Sequence, residues 1–93
     1  MEELQQKVKK MYKDNKWDTP PELLLIAMQE ELGEISARFL AEHPRYKKSI
    51  KDTDPIEEEV GDLITLIFAF CNKMDIDPEK WVNNTIRKRG KQG

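Results

Sequence analysis

A six-residue word occurs twice in this 93-residue chain with only conservative changes: Glu30-Glu31-Leu32-Gly33-Glu34-Ile35, then Glu58-Glu59-Val60-Gly61-Asp62-Leu63. Each copy sets two carboxylates three positions apart. A helix turns about 100° per residue, so such a pair lies within about 60° on one face and can converge on a point. Two such helices packed together offer four carboxylates to one cavity. That cluster repels itself unless a hard cation neutralises it, and Mg²⁺ is the oxygen-preferring ion to expect. A solvated charge run would explain either copy alone, but two near-identical copies with the same glycine favour a metal site. Gly33 and Gly61 fall inside helix-favouring stretches, where glycine costs roughly 1 kcal/mol against alanine. The expectation is that a missing side chain lets a neighbouring helix or a ligand approach the backbone there.

The same words demand helices, and the rest of the chain agrees. Leu4, Val8, Met11 and Tyr12 recur at helical spacing, so a first helix spans residues 1–15. Residues 15–19 break it. Thr19-Pro20-Pro21-Glu22 joins a capping-box pattern to prolines tolerated in a first turn, which starts a second helix running to about residue 41. His43-Pro44 ends that helix. Residues 42–53, with Lys47, Lys48 and Lys51, read as a polar surface connection. Asp54-Pro55, as cap and first position, starts a third helix to about Met74, and Asp77-Pro78 starts a fourth that ends near Arg89 with Gly90 as its stop. No window alternates like a strand pair. The fold class is therefore all-α: four helices and short loops, an antiparallel four-helix bundle-type domain over residues 1–93, completed by a second subunit.

Composition supports the need for a partner. With 37% charged and 38% hydrophobic residues, one small domain has little material for a private core. The net charge of −2 argues against a surface that seeks nucleic acid. Cys71 lies in an apolar run and has no second cysteine to pair with, which fits a reducing compartment and a buried, small hydrophobe. The longest apolar stretch, residues 63–71, is too short to span a membrane, and no signal peptide is evident. A soluble, cytoplasmic protein is expected.

Helical-wheel arithmetic locates the carboxylates. Leu24, Leu25, Met28, Leu32, Ile35 and Phe39 fill a sector of about 100°, with Glu31 about 20° beyond its edge and Glu34 about 60° farther out. In the third helix Glu59 falls between Leu66 and Phe70, and Asp62 lies about 60° outside it. Burying an uncompensated carboxylate is expensive, so either a cation or a basic side chain such as Arg38 should sit at that border.

These residues resemble the MazG-like all-α nucleotide pyrophosphohydrolases, whose signature is EExxE, a spacer, then ExxD. Here it stands as Glu30-Glu31-Leu32-Gly33-Glu34 and Glu59-Val60-Gly61-Asp62. The resemblance covers nearly the whole chain. It implies a Mg²⁺-dependent enzyme, with Mn²⁺ as the alternative ion, that cleaves nucleoside triphosphates to the monophosphate and pyrophosphate as a homodimer or homotetramer. It further implies Glu31, Glu34, Glu59 and Asp62 as metal ligands. Glu30 or Glu58 could orient or deprotonate the attacking water. Phosphoryl chemistry asks little more than charge neutralisation and an in-line water. For the phosphates the fourth helix offers Asn83, Arg87 and Arg89; Thr85 departs from the lysine frequent in the family. Favourable placement at a helix C-terminus explains the basic cluster equally well. Trp17 could stack on a base or plug the space between the first two helices, and the plug is the stronger expectation; Trp81 is expected in packing and His43 on the surface.

Two alternatives remain. Phosphoribosyl-ATP pyrophosphohydrolases share this size and carboxylate logic, but their second motif continues with Tyr-His, whereas this chain continues Leu63-Ile64-Thr65. A non-catalytic helical oligomerisation module would carry its carboxylates merely as solvated charges.

Overall fold

The computed structural model describes residues 1–43, 45 and 54–90. Among them the chain forms four helices and no strand: α1 (Glu2–Asp14), α2 (Pro21–Glu42), α3 (Ile56–Met74) and α4 (Pro78–Gly90). The expected boundaries agree to within a residue or two. The polar connection with Lys47, Lys48 and Lys51 lies outside the described residues.

The helix starts differ in detail from expectation. The N-caps of α2 and α3 are Pro20 and Pro55, each in extended backbone and without a side-chain cap. Thr19 and Asp54 therefore do not cap: each sits one residue too early once the proline itself takes the boundary position. Asp77 does cap α4, its Oδ1 accepting the backbone N–H of Glu79 at 3.1 Å and of Lys80 at 3.3 Å. Gly90 is still helical, not the residue that stops α4. The α1 and α3 ends turn through left-handed residues that are not glycine, Lys16 (φ 56°) and Asp75 (φ 54°). The turn at Asp75 is held by its own N–H and that of Ile76, both bonded to Cys71 O.

Among the described residues two helix pairs pack extensively, α3 with α2 and α3 with α1, the latter around Asn72 and Ile76 at the C-terminal end of α3. Contact between Arg38, in the last turns of α2, and Glu59, in the first turn of α3, shows that these helices run antiparallel. Across the α1–α3 junction Gln5 Nε2 donates to Ile76 O at 3.1 Å and Asn72 Nδ2 to Gln5 O at 3.2 Å. Among the described residues the buried core is small. Leu24, Phe68, Ala69 and Cys71 are its apolar members, and Glu59 is buried among the helices with them. Leu25, Leu32 and Phe39, expected in the core sector of α2, are instead 45%, 54% and 65% exposed. On the wheel they lie at the edge of that sector away from Glu31, and among the described residues nothing covers them fully. Trp81 is 53% exposed and does not pack as expected, whereas His43 is on the surface.

Candidate functional site

The α2–α3 hairpin has two unlike faces. On the wheel of α2 the buried or half-buried Leu24, Met28 and Ile35 form one stripe, with Glu31 and Arg38 at its border, and Arg38 meets Glu59 of α3. Glu34 lies about 60° farther round the same flank. On α3, Glu59 shares a stripe of the wheel with the half-buried Leu66 and Phe70, and Asp62 is again about 60° out. Antiparallel packing brings these two outer flanks to the same side. Glu31, Glu34, Glu59 and Asp62 therefore share one face, and the opposite face carries Leu25, Leu32, Phe39, Val60, Ile64 and Ile67.

Burial grades the acidic face as the wheel predicts. Glu59 is 1% exposed and Glu31 half-buried, while Glu30, Glu34, Glu58 and Asp62 are exposed. The buried carboxylate has an opposite charge beside it: Glu59 Oε1 lies 3.7 Å from Nε of Arg38, whose side chain is 23% exposed. At that distance the contact is an ion pair and not a hydrogen bond. Of the two neutralisers expected at this border, the basic side chain is the one the chain itself provides. Among the described residues no three Asp, Glu, His or Cys side chains gather as a group that could hold a metal ion. The fold thus places four carboxylates on one face without drawing three to one point.

The glycines do not perform the expected task inside the chain. A Cβ added at Gly33 or Gly61 would meet nothing within 4 Å among the described residues, so none of the four helices approaches either backbone closely. Thr65 Oγ1 donates to Gly61 O at 2.8 Å, a bond that asks nothing of the glycine itself.

Trp17 is half exposed and meets Tyr12 edge to face, ring centroids 5.3 Å apart. It does not plug α1 against α2. With Tyr12, Lys9, Lys13, Ala69 and Lys73 it walls a concavity of about 250 Å³. Sequence reasoning missed the lysines. The available signal was Lys9 and Lys13 at i, i+4 on either side of Tyr12 in α1. Lys73 pairs with Asp18, and this hydrogen bond and positive charge hold the Asp18 carboxyl below the usual carboxylate range. Ala69 and Lys73 share the stripe of α3 that carries Asp62, about 10 and 16 Å along the axis. The aromatic concavity and the acidic words consequently lie on one side of α3.

Asn83, Arg87 and Arg89 are exposed on α4. That helix packs extensively on none of the others. Asp62 lies 12 residues, about 18 Å, up α3 from the end where α4 departs. The structure does not bring these three residues to the acidic face of their own chain.

The fold and its faces define an all-α, four-helix protein with an acidic face on its central hairpin. No family model and no solved structure matches the chain. It is similar to the uncharacterized protein YpjD of Bacillus subtilis (strain 168), 30% identical over 71 residues, which cover 73% of this chain and 62% of that protein. The match thus spans less than two thirds of the relative's length. No helix of the described residues is long and apolar enough to cross a membrane.

Proposed function

We propose that the protein is a MazG-like, Mg²⁺-dependent nucleoside triphosphate pyrophosphohydrolase that releases pyrophosphate and a nucleoside monophosphate. The observation that carries this reading is the common face of Glu31, Glu34, Glu59 and Asp62 on the α2–α3 hairpin, with Glu59 buried at its root. The donor set is all carboxylate oxygen, which suits Mg²⁺ and, as the alternative, Mn²⁺. These four residues share a face but do not converge in the ion-free chain, so they would have to close on the ion, which when bound would neutralise phosphate charge and support an in-line water. Glu30 on α2 and Glu58 on α3, both exposed beside the set, are the candidates to take that water's proton.

The concavity beside Trp17 supports a nucleotide as substrate. An aromatic face suits a base, and Lys9 and Lys13 suit anionic groups. Its position on the Asp62 side of α3 lets one ligand extend from the aromatic ring to the carboxylates. The apolar face opposite supports a homo-oligomer, because two copies joined there would bury Leu25, Leu32 and Phe39 with Val60, Ile64 and Ile67. A cytoplasmic role in removing unwanted nucleotides follows from the same reading.

Four single substitutions test the ligand set: Glu31→Gln, Glu34→Gln, Glu59→Gln and Asp62→Asn. Each is expected to lower turnover at least a hundredfold while circular dichroism stays helical. Near-normal turnover in any two removes the set. Thermal melts give a readout independent of substrate, since binding to the folded state alone raises Tm with Mg²⁺ concentration by mass action. A non-catalytic module would melt indifferently to the ion.

A further inference from the structure

The burial of Glu59 restricts how any ion can reach it. Its side chain is 1% exposed, whereas Mg²⁺ dehydrates reluctantly and keeps several waters when protein carboxylates bind it. A hydrated ion therefore gains this carboxylate only if a neighbour moves. Arg38 is a neighbour placed to do so: it is the more exposed partner at 23%, and its Nε lies 3.7 Å from Glu59 Oε1. That separation is longer than a hydrogen bond, so the contact can open without breaking one. Place on α2 sharpens the point. Arg38 follows Glu34 by four residues and Glu31 by seven, and on the wheel it falls between them, about 20° from Glu31 and about 40° from Glu34. The guanidinium thus belongs to the same flank as the carboxylates, and among the described residues no three of those gather around a point.

We infer that Arg38 is a built-in competitor of the cation: its guanidinium supplies the compensating charge beside Glu59 in the ion-free chain, and the ion gains Glu59 only as Arg38 leaves. The inference rests on the metal reading proposed above and adds to it a residue outside the ligand set. Electrostatics make the two occupants exclusive. Either positive charge alone compensates the buried carboxylate, but a guanidinium and a divalent cation on the same carboxylate repel each other, the more so out of water. Arginine can keep its apolar stem against the hairpin while its charged head turns into water, so the exchange asks neither helix to unfold. One consequence is quantitative: the apparent affinity for the ion is lowered by the fraction of molecules in which Arg38 has left Glu59. The other is structural, because the ion-free chain never holds Glu59 as a bare buried charge.

Calorimetric titration with Mg²⁺, and again with Mn²⁺, distinguishes a competitor from a merely structural salt bridge without reference to activity. Arg38→Met is expected to bind the ion about tenfold more tightly than wild type, although it melts lower in the absence of the ion. Adding Glu59→Gln to that variant is expected to remove the gain. Lys7→Met deletes an equal charge from an exposed pair on α1 and controls for net charge; its affinity should stay within about twofold of wild type. Wild-type protein gives a second readout that needs no destabilised variant. The Nε–H resonance of Arg38, assigned by its absence from Arg38→Lys, should exchange with water about tenfold faster once the ion is bound. Ion binding that leaves this exchange unchanged, or folded Arg38→Met that binds no more tightly than wild type, overturns the proposal and keeps the metal site. No binding of either ion by wild type or by folded Arg38→Met overturns both. Binding by Arg38→Met alone supports the proposal in its strongest form, a site that its own arginine masks.

Discussion

Glu59 is where physical chemistry presses hardest on a single residue. Its carboxylate is out of water, and the Arg38 guanidinium beside it supplies compensating charge. Truncating one member of a buried ion pair costs on the order of 3 kcal/mol, whereas removing both charges costs less. Arg38→Ala is thus expected to lower the urea midpoint strongly, and Arg38→Met with Glu59→Gln to recover much of the loss. A double-variant loss equal to the sum of the losses in Arg38→Met and Glu59→Gln alone would mean that the pair contributes nothing. Asp18 makes a weaker, exposed pair with Lys73. Its folded pKa is depressed, so the stability it contributes is present above the unfolded carboxylate range and is lost as pH falls through the folded value. Asp18→Asn should therefore lower Tm slightly at pH 7 and leave it unchanged well below pH ~4. A Tm gap that persisted at low pH would contradict that assignment. The burial of Glu59 was legible in the sequence because a charge stood between Leu66 and Phe70 on the wheel. The exposure of Trp17 was not, because the position of a loop tryptophan depends on where α1 meets α3, a contact far apart in sequence.

All four helices were legible in the sequence, since prolines and apolar periodicity act over a few residues. Their caps were less so: a proline at the boundary displaced Thr19 and Asp54 by one position. The left-handed turns at Lys16 and Asp75 carried no signal either, because glycine, the residue that usually marks such turns, is absent there. Gly33 and Gly61 give the test at this scale. Each has open space where a Cβ would go, so Gly33→Ala and Gly61→Ala should each stabilise the chain by about 0.5–1 kcal/mol. Raised melting temperatures are the expected result. Lowered ones would mean that a partner or ligand approaches these backbones closely in the assembled protein. Leu25, Leu32 and Phe39 carry the same lesson: apolar periodicity reported correctly that they seek cover, but it cannot say which molecule provides it.

At the scale of the whole molecule, one chain is an incomplete object. Among the described residues its core is small, its central hairpin has an acidic and an apolar face, and α4 is held at its start, where Pro78 is buried and Glu79 pairs with the N-terminal amine. The four carboxylates meet on one face through the antiparallel pairing of α2 and α3, which the repeated word alone could not specify. Their function is tested most directly by pyrophosphate release from a panel of ribo- and deoxynucleoside triphosphates, run with Mg²⁺ and again with chelator. Release that requires Mg²⁺ and falls to background in Glu59→Gln is the expected result. No release from any triphosphate by protein shown to be folded and associated would contradict the account.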